Sequence, residues 1–291
     1  MSRPADADAG AEPARRAETY THGYDARWID FIGRRRAAED LAFLLPHLRP
    51  GLRVLDCGCG PGSLTADVAA LVAPGEVVGL DQDPGQVDLA RRRAAGRGLT
   101  NARFQSGSLY ALPFPDASFD AAYAHTVVQH LREPLRALRE VRRVLKPGGW
   151  LGLRDDDWAS CLWEPRDPLL DRAVALWLRV WQHDGGDPYY ARHQRRLLRE
   201  AGFGRSAGAA TASSFGTPER TRQVAEILIV LFEHPAFVRT VVEQGWADGA
   251  ALAAMHAALR TWGAHPDAYY AILYPEAIGW VDAGGAPAPA P

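Results

Sequence analysis

Short apolar runs that stop at glycine or aspartate alternate with segments of helical period through the first half of this 291-residue chain. The run Val54-Leu55-Asp56-Cys57 breaks into Gly58, Gly60 and Gly62, and residues 63–71 then carry a helical pattern. Val77-Val78-Gly79-Leu80 stops at Asp81 ahead of an arginine-rich helical stretch, 84–96, and Ala102-Arg103-Phe104-Gln105 stops at Ser106-Gly107-Ser108. Pro113, Pro115 and Asp116 break the chain before a fourth strand at 119–125. A long amphipathic helix is predicted over 127–145, closed by Lys146-Pro147-Gly148-Gly149, with a fifth strand at 150–153. Strands and helices alternating with short joins predict an α/β fold: a mostly parallel, doubly wound sheet whose ligands sit outside the carboxyl ends of its strands.

Helical spacing governs most of the rest. Trp28, Phe31, Ile32, Leu41, Leu44, Leu45 and Leu48 predict one or two helices before the first strand, and Leu169, Leu170, Val174, Leu176, Trp177, Val180 and Trp181 form a second stripe. Residues 217–265 read almost wholly helical behind the cap signal Thr217-Pro218-Glu219, with Val224, Ile227, Leu228, Leu231 and Phe232 at core spacing. That stretch is too long for a hairpin, so an inserted helical lid or an oligomer face is expected between a sixth strand at 209–215 and a last strand at 269–281. The division expected is a disordered tail at 1–18, an N-terminal helical lid at 19–50, a core at 51–216 and 267–282, a helical insertion at 217–266, and a second disordered tail at 283–291.

Chemistry enters with the glycines. At positions 58, 60 and 62 they allow positive φ or close approach of a ligand, and a helix that begins just behind them offers unpaired N–H groups. A plain strand-to-helix turn would use the same residues. The dinucleotide fingerprint needs its third glycine where Ser63 stands, which disfavours a nicotinamide-dependent oxidoreductase. Asp81, at the second strand tip, sits where an acidic side chain accepts both ribose hydroxyls.

Composition narrows the class. With 47% apolar and 23% charged residues and a net charge of −2, the chain has no global attraction for nucleic acid or membrane, and a small-molecule substrate is the expectation. The triplet Arg34-Arg35-Arg36 reads as a solvated helix face. Cys57, Cys59 and Cys161 have no metal-ligand spacing, so no metal and a reducing, cytoplasmic setting are expected. No membrane span and no export signal are visible.

Four motifs, V-L-D-C-G-C-G-P-G, G-L-D-Q-D, L-P-F-P-D-A-S-F-D and R-V-L-K-P-G-G, occur in this order over residues 52–153. As a set they resemble the class I S-adenosylmethionine-dependent methyltransferases, and more narrowly the ubiquinone/menaquinone-biosynthesis-type group. The resemblance implies a seven-stranded sheet of order 3-2-1-4-5-7-6 with strand 7 antiparallel. It also implies S-adenosyl-L-methionine as cofactor, with S-adenosyl-L-homocysteine as product. Carried over by position, Gly58, Cys59 and Gly60 pass the methionine end of the cofactor, Asp81 holds the ribose and Gln82 lies beside the adenine. The family's usual Gly-Asp at the third tip is Gly107-Ser108 here, followed by Leu109, so the adenine contact is a hydroxyl in place of a carboxylate. Backbone near His125 takes the cofactor's amino group, and Tyr20, His22 and Tyr24 resemble a lid segment of close relatives.

Methyl transfer is an in-line displacement in which the protein mainly positions, and a general base is needed only for a hydroxyl or an acidic carbon. The expected acceptor is a small, apolar or aromatic biosynthetic intermediate. Residues weighed for the acceptor side are His125, His130, His183 and the run Asp155-Asp156-Asp157, of which Asp155 or Asp157 is expected to orient the acceptor. Each has a packing or solvation role as its alternative. Tyr189, Tyr190 and His193, near the Gly185-Gly186 turn, suggest a mobile lip, and Trp246, Met255 and Trp262 either line a pocket or fill the lid core. Two further readings stay open: a cofactor-binding cyclase that transfers no methyl group, and a non-catalytic partner subunit. A homodimer is compatible with the helical insertion.

Overall fold

The computed structural model describes residues 20–283. In chain order its elements are α1 (Ala26–Ile32), α2 (Ala37–Asp40), β1 (Val54–Cys57), α3 (Ser63–Val72), β2 (Val77–Asp81), α4 (Pro84–Gly96), β3 (Ala102–Ser106), β4 (Phe119–His125) and α5 (Pro134–Val144). They continue as β5 (Leu145–Arg154), β6 (Asp157–Glu164), α6 (Pro168–Asp184), α7 (Gln194–Glu200), β7 (Arg205–Phe215), α8 (Pro218–Glu233), α9 (Pro235–Glu243), α10 (Gly249–Gly263) and β8 (Tyr269–Trp280). Helix starts follow local chemistry. In α4, α6 and α8 a proline at the first position follows a residue whose side-chain oxygen accepts a first-turn N–H: Asp83 from Gln86, Asp167 from Leu169 and Thr217 from Arg220.

The apolar strand runs are continuous because both faces of the sheet are covered. Val54, Val77, Ala121 and Trp150 pack with Leu64, Val68 and Val72 of α3. Their neighbours Leu55, Val78, Ala122 and Leu151 point the other way, onto Leu138 and Val141 of α5 and Leu197 and Leu198 of α7.

β1 to β5 are parallel in the order 3-2-1-4-5, and β8 follows β5 antiparallel with β7 on its far edge. The order expected from the resemblance is therefore the order found, with one addition. β6 was not foreseen in the sequence: it continues β5 along the same edge of β8, Trp150 to Arg154 facing Trp280 to Glu276 and Asp157 to Glu164 facing Leu273 to Tyr269. The interruption falls at Asp155 and Asp156, where β8 carries Pro275, which has no N–H to give to the ladder.

The helix expected over 127–145 is shorter than its pattern. Val128–His130 forms a single 3-10 turn and α5 begins at Pro134, whose ring keeps Glu133 out of helical geometry (φ −122°, ψ 61°). Helices α6, α8, α9 and α10 bury a shared apolar cluster with α1 and β6. Met255 and Trp262 lie inside that cluster, and the Trp262 indole donates to the Glu164 carbonyl at 3.0 Å, so both fill the helical layer. Trp246 packs on its rim, against the His183 ring and beneath the Arg179 guanidinium. Among the described residues no helix is long and apolar enough to cross a membrane. The tail at 1–18 and all but Ala283 of the tail at 283–291 lie outside the described residues.

Candidate functional site

Parallel strands bring the carboxyl ends of β1, β2, β3 and β4 to one edge of the sheet, and a cavity of about 1070 Å³, partly open to solvent, lies outside them. Gly58, Gly60 and Gly62 all have positive φ, 75°, 49° and 74°. A Cβ on Gly58 would stand 2.5 Å from Val127 Cγ2, so that glycine lets the turn after β4 close onto the turn after β1. Gly60 differs: its nearest neighbour would be Ile32 Cδ1 at 4.0 Å, and it presents bare backbone to the cavity.

Asp81 ties the first two strand ends together. Its Oδ2 accepts from the Gly60 N–H at 2.8 Å and its Oδ1 from the Asp83 N–H at 3.0 Å. A carboxylate oxygen has two lone pairs, so each keeps one for a ligand hydroxyl. Burial raises the Asp81 carboxyl above its ordinary range, against these backbone bonds. Deeper in the sheet, Asp56 accepts from Thr65 Oγ1 at 2.5 Å and from the Tyr123 hydroxyl at 2.7 Å, and burial pushes it up to about 7. At the third tip the Ser108 hydroxyl is exposed and accepts from the Tyr110 N–H at 3.2 Å, which leaves its proton and one lone pair for a ligand.

The N-terminal segment closes over these ends. Ser63, at the position that a dinucleotide fingerprint reserves for glycine, donates to the Ile32 carbonyl at 3.3 Å and so docks α1 on the glycine turn. The Tyr20 hydroxyl accepts from the Trp28 indole at 3.1 Å, and burial pushes it up to about 12. Of the run Arg34-Arg35-Arg36, read above as a solvated face, Arg35 is half-buried and lines the cavity.

All eleven residues expected around the cofactor line this one cavity: Tyr20, Tyr24, Gly58, Cys59, Gly60, Asp81, Gln82, Gly107, Ser108, Leu109 and His125. The acceptor-side candidates divide. His125 lies at the cavity wall, but its Nε2 stands 2.8 Å from Arg154 Nη1 and 3.6 Å from Asp40 Oδ1, within a buried network that also joins Arg154 to Glu276. Burial and the nearby guanidinium charges push its imidazole down to about 3, so it is neutral and engaged, not a poised base. His130 also lines the cavity, yet its ring is stacked on Trp181 with centroids 4.8 Å apart, and burial pushes it down to about 3.

Two expectations are corrected. Asp157 lines neither this cavity nor its neighbour; both of its oxygens are taken by Arg192, with contacts of 2.6 to 2.9 Å. His183 is exposed near the end of α6 against Trp246, away from the strand ends. The break between β5 and β6 distributes the acidic run differently. Asp155 turns under the loop after β4, accepting from the Val127 N–H at 3.0 Å and from Gln194 Nε2 at 3.1 Å. Asp156 faces a second hollow of about 650 Å³ that shares Tyr20, Arg35, Thr126 and His130 with the first. Thr126, where the two meet, has φ 53°, a conformation that costs a β-branched residue about 1–3 kcal/mol. The bond from its N–H to the Arg154 carbonyl, at 2.7 Å, and the Asp155 bond to the next residue hold it there. The sequence gives no signal for Thr126, because only the positive φ marks it.

The family model described as "Methyltransferase domain" matches residues 55–153. A protein of Aspergillus luteorubrus named "Probable methyltransferase ltbC" is 30% identical over 282 residues, 90% of this chain and 96% of its own length. Among solved structures, the [4+2]-cyclase SpnF is 29% identical with a TM-score of 0.51, covering 87% of this chain and 85% of that one. The YcgJ protein of Bacillus subtilis, at 21% identity, shares the fold, with a TM-score of 0.58 over 85% of this chain and all of its own.

Proposed function

The chain belongs to the class I S-adenosylmethionine-dependent methyltransferases, and from that premise we propose that it methylates a small, largely apolar molecule seated in the hollow beside the cofactor cavity. S-adenosylmethionine, when bound, supplies a methyl group made electrophilic by its sulfonium sulfur. The observation that carries the reading is the pair of adjoining cavities meeting at Thr126 and His130, the first bounded by the glycine turn and Asp81, the second walled mainly by apolar side chains.

The residues fit that cofactor. Asp81 keeps one acceptor site on each oxygen for the two ribose hydroxyls, Gly60 offers backbone with no Cβ in the way, and Gln82 and Leu109 flank the adenine. Ser108 would donate a hydrogen bond from its hydroxyl to an adenine ring nitrogen. Tyr20 and Tyr24 cover the site from the N-terminal segment, which we assign as its lid, with α8 to α10 as the cover of the acceptor side. These groups position the reactants and exclude water, which is where the protein's contribution to an in-line displacement lies.

The test uses S-adenosylmethionine carrying a CD3 group, the protein and an extract of small lipophilic metabolites. The proposal expects S-adenosylhomocysteine to accumulate together with a small molecule that has gained one CD3. Label found only in added protein or nucleic acid would contradict it. A second reading, cyclisation without transfer, is favoured by one observation, the 29% identity to a [4+2]-cyclase. It expects a rearranged small molecule of unchanged mass and an intact cofactor.

A further inference from the structure

The hollow behind Thr126 is mainly apolar, with Trp28 and Phe31 from α1, Val224 and Leu228 from α8, and Ile272 and Tyr274 from β8, while His22, Arg35, Gln129, His130 and Asp156 bring polar groups to its walls. Five buried side-chain atoms of residues lining it, His22 Nδ1, Gln129 Oε1, His130 Nδ1, Asp156 Oδ1 and Trp158 Nε1, make no hydrogen bond of normal geometry, although the Gln129 and Trp158 side chains face the Asp156 carboxyl. Asp156 is only 8% exposed. A buried carboxylate oxygen left unpaired costs free energy, so the chamber is complete only with an occupant that donates a hydrogen bond to it. The Trp158 indole is purely a donor and faces the Asp156 carboxyl itself, so the bond this chamber still lacks is one given to Asp156. A hydroxyl gives it. Arg35 stands at the junction, near enough to Asp156 and Asp40 for its charge to draw both carboxyls down against their burial. With Arg35 and a sulfonium both positive beside the one Asp156 carboxylate, an ammonium group would add a third positive charge, whereas an oxygen that becomes anionic as it reacts is favoured.

We propose that this chamber takes an apolar molecule bearing a phenolic or enolic hydroxyl, and that Asp156 accepts the hydroxyl proton as the oxygen receives the methyl group. The assignment rests on the methyl-transfer reading above. The O–H bond breaks and its proton passes to Asp156 Oδ1. An oxygen electron pair forms the new O–C bond, and the carbon–sulfur bond breaks with its pair left on sulfur. Asp156 then returns the proton to water. Burial holds the Asp156 carboxyl above the ordinary carboxylate range, which suits a base for a weakly acidic hydroxyl. Its neighbours are otherwise employed, Asp155 under Val127 and Asp157 with Arg192. His130, pushed down to about 3, is too weak a base.

The probes are 2-naphthol and 2-methoxynaphthalene, titrated by tryptophan fluorescence into protein saturated with S-adenosylhomocysteine. The expected result is saturable binding of 2-naphthol, weakened about fivefold in Asp156→Asn as a charged acceptor becomes a neutral one, with 2-methoxynaphthalene binding unchanged. Leu228→Trp fills the chamber and abolishes binding of both probes while S-adenosylhomocysteine still binds. With S-adenosylmethionine, methylation of 2-naphthol slows by about a hundredfold or more in Asp156→Asn. The proposal is overturned if 2-naphthol does not bind saturably, if Asp156→Asn binds it as the native protein does, or if Leu228→Trp leaves binding intact. Failure of the native protein to bind S-adenosylhomocysteine would instead overturn the methyl-transfer reading itself.

Discussion

Removing the Asp81 carboxylate separates a ribose-binding strand tip from a merely structural one. Each Asp81 oxygen already accepts one backbone N–H, from Gly60 and from Asp83, and has one lone pair left. A hydrogen bond to a charged group contributes about 1.5–3 kcal/mol. Because the cavity is partly open to water the lower end applies, so two ribose bonds come to about 3 kcal/mol, or roughly 150-fold in affinity. Asp81→Ala should therefore raise the dissociation constant of S-adenosylhomocysteine by about two orders of magnitude in isothermal titration calorimetry. Asp81→Asn keeps one acceptor oxygen and should lose about half of that free energy, roughly tenfold. Asp88→Ala, on the exposed side of α4 where Asp88 pairs with Arg91, should leave affinity unchanged. A folded Asp81→Ala protein that binds within about threefold of native would refute the ribose assignment.

Gly58→Ala places a Cβ 2.5 Å from Val127 Cγ2 at φ 75° and should cost about 2–4 kcal/mol in urea unfolding, whereas Gly60→Ala pays only about 1–2 for its left-handed backbone. Equal losses would contradict the different roles given to the two glycines. Arg154→Met leaves Glu276, 4% exposed, without its cation and should cost about 3–5 kcal/mol. Adding Glu276→Gln to that variant should recover part of the loss, and no recovery in the double-mutant cycle would show the pair to be unimportant. Burial, reinforced by Asp156, pushes Asp155 up to about 7. Between its unfolded value near ~4 and that value the native state holds a proton that the unfolded state lacks, so its contribution to stability falls as pH rises. Asp155→Asn should flatten the decline of stability between pH ~4 and ~7 by up to about 1.4 kcal/mol per pH unit, and a slope equal to the native one would contradict the shift.

The strand tips were legible because everything that marks them is local. Gly58 and Gly60 follow an apolar run, Asp81 ends the next one, and Gly107-Ser108 the third, so the parallel sheet brings them together with no information from elsewhere. The acceptor side depends on contacts far along the chain. β6 is a strand only because Tyr269 to Leu273, more than a hundred residues on, pairs with it. The break that turns Asp156 toward the hollow and Asp157 toward Arg192 lies opposite Pro275, so the period of two along the strand does not tell which carboxylate faces inward. His125 reads as an acceptor-side candidate at the end of β4 because its partners, Asp40 and Arg154, come from other elements. Arg35 looked solvated because a run of three arginines does not tell which one turns inward.

A crystal structure of the protein with S-adenosylhomocysteine and 2-naphthol would show directly whether the two cavities hold cofactor and acceptor side by side. The ribose hydroxyls should lie on Asp81, the thioether sulfur should point toward Thr126 and His130, and the naphthol oxygen should sit between that sulfur and Asp156. Nucleoside bound away from the β1, β2 and β3 ends, or a sulfur that faces solvent while the second hollow stays closed to the naphthol, would contradict that arrangement.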